Sequence, residues 1–410
     1  VKILWVKAGK ILPVDTGGKI RSYNILRHLA KKHEVTLLSY YGGERDAAYE
    51  AAIAQQLPGA ETIYTGAADN SEADRAVAYA RRMFSPAPFA VSKFAHPLVR
   101  RSVQRWIDEK RCDVALCDFL AASLNFPSRP SLPSVLFQHN VESSLWERRA
   151  QTESSVLRKM VYKVEAAKMR RYERETIRRF HHVIAVSEHD RQLMELMDPT
   201  CEITVVPTGV DTEKYSSAPP STSKPPLVVF TGSMDWEPNI DAVTYFCSDI
   251  WPKILEEFPE ARFQVVGRDP RPSVRKLASA SVEITGTVPS VDEYLRRATV
   301  VVVPLRAGGG TRLKIFEAMA TGKAVVSTSV GAEGLDVTHG QDLILADNAT
   351  TFADSILSLL RHDELRHGYE KAAAALAKKY DWSNIAVQFE DALLRARARY
   401  QGRETGSQSN

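Results

Sequence analysis

Arg312, Lys314 and Glu317 follow the run Gly308-Gly309-Gly310-Thr311, a spacing that could hold an anion beside a group rich in hydroxyls. Four valines at 300–303 read as a buried strand, and the apolar pattern from 313 onward reads as a helix. Consecutive glycines let backbone N–H groups approach a ligand closely, and a helix N-terminus adds partial positive charge. A phosphate is the natural occupant of such a place. Arg312 and Lys314 would add two cations in the first turn. Glu317 lies deeper in the helix, where a carboxylate gains nothing from the dipole but could hold ribose or sugar hydroxyls. The simpler alternative is an ordinary strand-to-helix turn. Two cations directly after the glycines favour the anion site.

A second candidate is His139, which follows a strand-like segment at 134–137 and so should lie at a carboxyl end. A neutral imidazole there could donate or accept a hydrogen bond. Asp118 ends a strand-like segment at 114–117 and could face a second substrate, while Asn140 and Glu142 could cap the next helix.

These residues need a scaffold, and the chain supplies two. At 410 residues it is too long for one compact domain. Residues 1–6 are strand-like, followed by Gly17, Gly18 and Lys19, a helical pattern at 22–32 and a strand at 35–41. The order begins again at 226–231, followed by Gly232 and Ser233, a helical pattern at 240–258 and a strand at 262–266 closed by Gly267 and Arg268. Alternating strands and helices imply parallel βαβ units, hence an α/β chain of two doubly wound domains. Residues 207–226, rich in Pro and Ser, read as a hinge. Ligands of open α/β sheets bind at strand carboxyl ends. Two such domains would therefore face each other across a cleft. Neither half carries the GxGxxG pattern of a dinucleotide site.

Composition narrows the function further. The net charge of +4 is too small to argue for nucleic acid, and 44% hydrophobic with 25% charged residues is ordinary for a globular protein. Cys112, Cys117, Cys201 and Cys247 are scattered without ligand spacing, which suits a reducing compartment and suggests no metal site. No apolar run is long enough to cross a bilayer, and no signal-peptide pattern is visible. The expectation is a cytoplasmic protein. A basic run at 158–179, with Val156 just before it and Met160, Val164, Ala167 and Ile177 interleaved, could place it peripherally at the inner face of a membrane. The more common meaning of such a run is one solvated face of a core-packed helix, with Glu165, Glu173 and Glu175 partly neutralising it. Phe84, Phe89 and Phe94 are expected in the core.

In combination these segments resemble retaining glycosyltransferases of family 4, which have the GT-B fold. The likeness is carried by Val206-Pro207-Thr208-Gly209-Val210-Asp211, Thr231-Gly232-Ser233-Met234, Val266-Gly267-Arg268, Gly286-Thr287-Val288, the run from Phe316 through Glu317 to Val326, and Gly331-Ala332-Glu333-Gly334. It implies a Rossmann-like acceptor domain at 1–206 and a Rossmann-like donor domain at 227–383. It also implies a helix at 384–402 crossing back to the first domain, with a polar tail at 403–410 expected to be disordered. It implies further that Glu317 holds ribose, that His139 lies beside the donor sugar, and that Gly17, Gly18 and Lys19 meet diphosphate or sugar. Val288 would read the base, and Gly232, Ser233 and Arg268 would complete the donor site. The chain departs from the family at 309, where Gly309 replaces a Glu that touches the donor sugar. Gly309, Gly310 and Thr311 backbone groups must then position it. Ser233, and then Pro238 or Asn239, stand in places where the family often has Arg and Lys, and Arg312 and Lys314 look like replacements. The Gly-Gly-Gly-Thr-Arg-Leu-Lys form resembles one that recurs in the family.

The activity implied is transfer of a sugar from a UDP- or GDP-linked donor to a glycan or lipid-linked acceptor. Arg312 and Lys314 would stabilise the departing diphosphate without a metal, and no other cofactor is implied. The alternatives are a sugar-nucleotide epimerase of the same architecture and an inactive sugar-nucleotide-binding protein.

Overall fold

The computed structural model describes residues 1–66, 85–153, 155–216, 225–307 and 312–407. The chain divides into two compact units, one of Val1–Pro207 with Ile385–Asn410 and one of Thr208–Asn384.

The first unit is built on seven parallel strands: β1 (Lys2–Ala8), β2 (Glu34–Tyr41), β3 (Glu61–Tyr64), β4 (Val114–Asp118), β5 (Ser134–Phe137), β6 (His182–Ala185) and β7 (Ile203–Val205). Their order is β3-β2-β1-β4-β5-β6-β7. Strands covered on both faces read as apolar runs rather than alternations, and β4 and β5 are buried at every position. The second unit repeats the design with β8 (Leu227–Thr231), β9 (Arg262–Val266), β10 (Val282–Gly286), β11 (Val300–Val303), β12 (Ala324–Ser327) and β13 (Ile344–Leu345), ordered β10-β9-β8-β11-β12-β13. All its pairings are parallel. In each sheet the strand order reverses at the first strand, β1 or β8. The loops after those strands therefore open the crevice where open α/β sheets take ligands.

Several boundaries differ from the sequence reading. The first helix is Gly17–Leu29, so Gly17 and Gly18 form its first turn instead of a loop before it. The helical pattern expected at 240–258 breaks into Glu237–Tyr245, a π-turn Phe246–Ile250 and Trp251–Glu257. Pro252 has no N–H to offer the ladder, so the i→i−4 pattern is interrupted before it. Helix Glu142–Thr152 is capped by neither Asn140 nor Glu142. Its first N–H groups, those of Glu142 and Ser143, donate to Glu173 at 2.7 and 2.9 Å. The last helix is Trp382–Ser407, and Asp381 caps its start, accepting from the Ser383 N–H at 2.9 Å.

That helix also runs past 403, where a disordered tail was expected. Gln401, Arg403 and Glu404 are good helix formers that carry it through Gly402. Within the first unit its Phe389 stacks on Trp5 at 5.7 Å and meets Phe137 edge-on at 4.8 Å. Glu390 binds Lys32 at 2.9 Å and His33 at 3.0 Å. Phe94 packs against the core cluster of this unit. Phe84, residues 217–224 of the expected hinge and residues 408–410 lie outside the described residues.

Candidate functional site

In the first unit, Lys7 is the penultimate residue of β1, β4 ends with Asp118, and His139 follows β5 by two residues. The three side chains meet. Lys7 Nζ lies 2.9 Å from Asp118 Oδ2 and donates to Ser22 Oγ at 3.0 Å. Trp5 Nε1 donates to the same carboxylate oxygen at 2.9 Å, and His139 Nε2 lies 2.9 Å from Asp118 Oδ1. Asp118 is wholly buried, so it does not face a second substrate. A buried carboxylate survives only when partnered, and this one is held by three groups. Burial, the largest influence, pushes its pKa up, but Lys7 and His139 together outweigh it and hold it well below the usual carboxylate range.

Burial pushes His139 down to about 4, against the pull of Asp118, so the imidazole is neutral at pH 7. With Nε2 toward the carboxylate, that nitrogen is assigned the proton and Nδ1 is left as an acceptor. Nδ1 points at the first helical turn: a Cβ on Gly18 would come within 3.5 Å of it. Gly18 and His139 are thus brought together. Lys19 instead closes its own loop, reaching Asp15 Oδ1 at 2.9 Å and the Pro13 carbonyl at 3.2 Å. Arg21, fully buried one turn on, was not singled out in the sequence; burial lowers its pKa to about 9, with Asp190 and Asp118 opposing. Lys7 was also missed. The one available signal was a lysine inside an apolar strand.

In the second unit the loop after β8 meets the helix Leu313–Ala320 that follows β11. Lys314 Nζ donates to Asn239 Oδ1 at 2.9 Å and sits 4.1 Å from the centre of the Phe230 ring. Gly232 leaves the space for both: a Cβ there would come within 2.7 Å of Asn239 Nδ2 and 2.9 Å of Lys314 Nζ. Loss of water around the ammonium lowers the Lys314 pKa to about 7, Arg312 adds to the effect and Glu317 opposes it. Asn239 Nδ2 also donates to the Ser233 carbonyl at 2.8 Å, and Arg268 Nε donates to Ser233 Oγ at 3.0 Å.

Arg312 is not inside the first turn. It is the residue before it, held at φ 49°, with its side chain buried and Nη2 3.5 Å from Glu333 Oε2. A left-handed arginine is an uncommon, costly conformation that persists where the surrounding structure over-determines it, and such residues cluster at functional sites. Gly308, Gly309, Gly310 and Thr311 lie outside the described residues. Glu317 accepts from Tyr215 Oη at 3.1 Å, and burial raises its pKa. Val288 sits in the loop after β10, the outer strand, with β9 between that strand and β8. Asn239, Tyr215 and Glu333 are the partners that sequence reasoning gave no role. Among the described residues, no group of three or more His, Cys, Asp or Glu side chains is placed to hold a metal ion.

A family model described as Glycosyltransferase Family 4 matches residues 16–214, and one described as Glycosyl transferases group 1 matches residues 225–362. The phosphatidyl-myo-inositol mannosyltransferase of Mycobacterium leprae is 29% identical over 311 residues, covering 71% of this chain and 76% of that protein. Its counterpart in Mycolicibacterium smegmatis is 28% identical over 304 residues, covering 71% and 73%. Among solved structures, Anabaena HepE in complex with UDP superposes with a TM-score of 0.66 at 16% identity, covering 96% of this chain and 100% of that one. Sucrose-phosphate synthase from Thermosynechococcus elongatus gives 0.68 at 15%, covering 97% and 99%. Identities this low speak to the fold alone.

Proposed function

Because the chain belongs to the family 4 type of glycosyltransferases and has the GT-B fold, we propose that it transfers a sugar from a UDP- or GDP-linked donor to a hydroxyl of a glycan or lipid-linked acceptor. We further propose that it does so with retention at the anomeric carbon. The observation that carries this reading is the cluster of Gly232, Asn239, Lys314 and Arg312 where β8 and β11 part. A departing diphosphate needs fixed positive charge and little reorganisation, and two cations held by Asn239 and Glu333 offer both. Glu317, steadied by Tyr215, has an acceptor for ribose hydroxyls one turn further on. Ser233 and Arg268 stand beside the same loop as further phosphate partners.

In the first unit, neutral His139 presents Nδ1 past Gly18 as an acceptor for a sugar hydroxyl. With no carboxylate among the described residues assigned as a base, the reading has the acceptor attack from the face the diphosphate leaves, with a phosphate oxygen receiving its proton. Mycobacterial relatives named for mannosyl transfer to phosphatidyl-myo-inositol support a lipid-linked acceptor. The reading assigns charge stabilisation to Lys314 and Arg312 and calls for no divalent ion, so chelation should leave turnover unchanged.

The test is incubation with a panel of UDP- and GDP-linked sugars, following free nucleoside diphosphate and the anomeric configuration of the product by NMR. Release of nucleoside diphosphate with retained configuration is expected. An isomeric nucleotide sugar would mean an epimerase, and binding without turnover would mean a non-catalytic binding protein.

A further inference from the structure

Residues 155–164 read Ser-Val-Leu-Arg-Lys-Met-Val-Tyr-Lys-Val, without one acidic side chain. They open the helix Val156–Arg179, whose later turns bury Met169, Tyr172 and Ile177. The opening turns do the opposite. Val156, Leu157, Met160, Val161 and Val164 are 74, 79, 61, 38 and 49% exposed. At about 100° per residue these five side chains fall within an arc of about 140°. Lys163 borders that arc on one side and Arg158 on the other, with Lys159 beyond Lys163. Tyr162 points away from it, 5.8 Å from Trp146 of the helix Glu142–Thr152. Single exposed apolar residues are ordinary on any protein, but a continuous stripe of five is not.

We propose that this stripe is a docking face for an anionic lipid surface. The apolar arc would enter the boundary between headgroups and acyl chains, while Arg158, Lys159 and Lys163 meet headgroup phosphates on both flanks. The helix would lie in the plane of the surface, since no described helix is long and apolar enough to cross a membrane. Charge selects the occupant. A second copy pairing along this face would set one row of cations against another, whereas an anionic bilayer neutralises both rows at once.

The test is co-sedimentation of the full chain with vesicles of phosphatidylcholine alone and of phosphatidylcholine mixed with phosphatidylglycerol. Binding is expected only to the mixed vesicles and should weaken with salt. The double variant Leu157→Glu/Met160→Glu should lose about tenfold or more in partitioning. Its circular dichroism and its release of nucleoside diphosphate from a soluble donor should stay unchanged, because both positions are exposed and neither touches the proposed reaction site. Arg158→Glu/Lys163→Glu should flatten the salt dependence. The proposal is overturned if the chain stays in the supernatant with mixed vesicles, or if the Glu variant sediments as well as the parent. It is equally overturned if sedimentation velocity shows a dimer that the variant dissolves while neither binds lipid. Vesicle binding and sugar transfer are read separately, so failure of one leaves the other standing.

Discussion

Two side chains one turn apart on the helix Leu313–Ala320 make separable claims. Lys314 is proposed to act on the departing diphosphate, so Lys314→Ala should lower kcat by about 10²–10³-fold, the usual loss for one preorganised donor worth roughly 3–4 kcal/mol. Its pKa is lowered to about 7, so the cation exists below that pH and is lost above it. The kcat/KM profile should therefore fall as pH rises through about 7. Lys314→Arg should move that limb upward, because a guanidinium keeps its proton. A flat profile between pH 6 and 9 would remove Lys314 from the chemistry. Glu317 is proposed to hold ribose, so Glu317→Ala should weaken UDP or GDP binding, measured by calorimetry, by about 1.5–3 kcal/mol. If only the melting temperature moved, Glu317 would be a helix-packing residue.

At this scale the sequence singled out His139, Lys314 and Glu317, and the structure sets them beside Asp118, Asn239 and Tyr215 respectively. Lys7, Arg21 and Asn239 were not legible. Their roles come from tertiary contacts with Asp118 and Lys314 that no local spacing encodes. Asp118 was misread for the same reason: its position at a strand end was visible, but the lysine that neutralises it lies on a different strand.

Elements were readable from alternation, since buried parallel strands are apolar runs and the helices between them are not. Their ends were less so. Gly17 and Gly18 are poor helix formers, yet they begin a helix, whose first turn lies beside His139. The basic helix illustrates the other failure. Its glutamates were expected to offset surface charge, and Glu175 does pair with exposed Arg171 at 2.8 Å. Glu165 and Glu173 are buried: Glu165 pairs with Lys168 at 3.3 Å and also accepts from the Phe89 N–H at 2.9 Å, while Glu173 caps the helix that follows His139.

Burial raises the Glu173 pKa to about 7, against its hydrogen bonds to Ser143 and Glu142. The folded state thus holds this proton more tightly than the unfolded chain. The sign follows: this group's contribution to stability is complete below about pH 4.5 and is lost as pH rises through about 7. Glu173→Gln should flatten that part of the stability curve, compared as melting temperatures of parent and variant at pH 5 and pH 8. Glu173→Ala, which strands two helix N–H groups, should cost about 1–3 kcal/mol at either pH. Equal pH slopes in parent and Gln variant would mean that Glu173 titrates normally.

For the whole molecule, the two-sheet plan followed from the repeated order of strand, glycine loop and helix, and the break near residue 207 followed from composition. The return of the last helix to the first unit did not come from any local pattern. It was implied by family resemblance alone, because Trp5 and Phe389 lie at opposite ends of the chain. Their contact makes the first unit discontinuous: its inner strand β1 packs against a helix that follows the whole second unit in the chain. Phe389 is fully buried and touches both Trp5 and Phe137, so Phe389→Ala should open a cavity at the centre of this unit and cost about 3–5 kcal/mol. The loss should appear as a lowered midpoint of thermal or urea unfolding for the transition of the first unit. Affinity for UDP or GDP should stay near the parent value, because Lys314, Arg312 and Glu317 belong to the other unit. An unchanged midpoint would show that the last helix is an appendage to the first sheet and not part of its core. Loss of nucleotide binding with the midpoint preserved would mean that the helix serves the donor site directly.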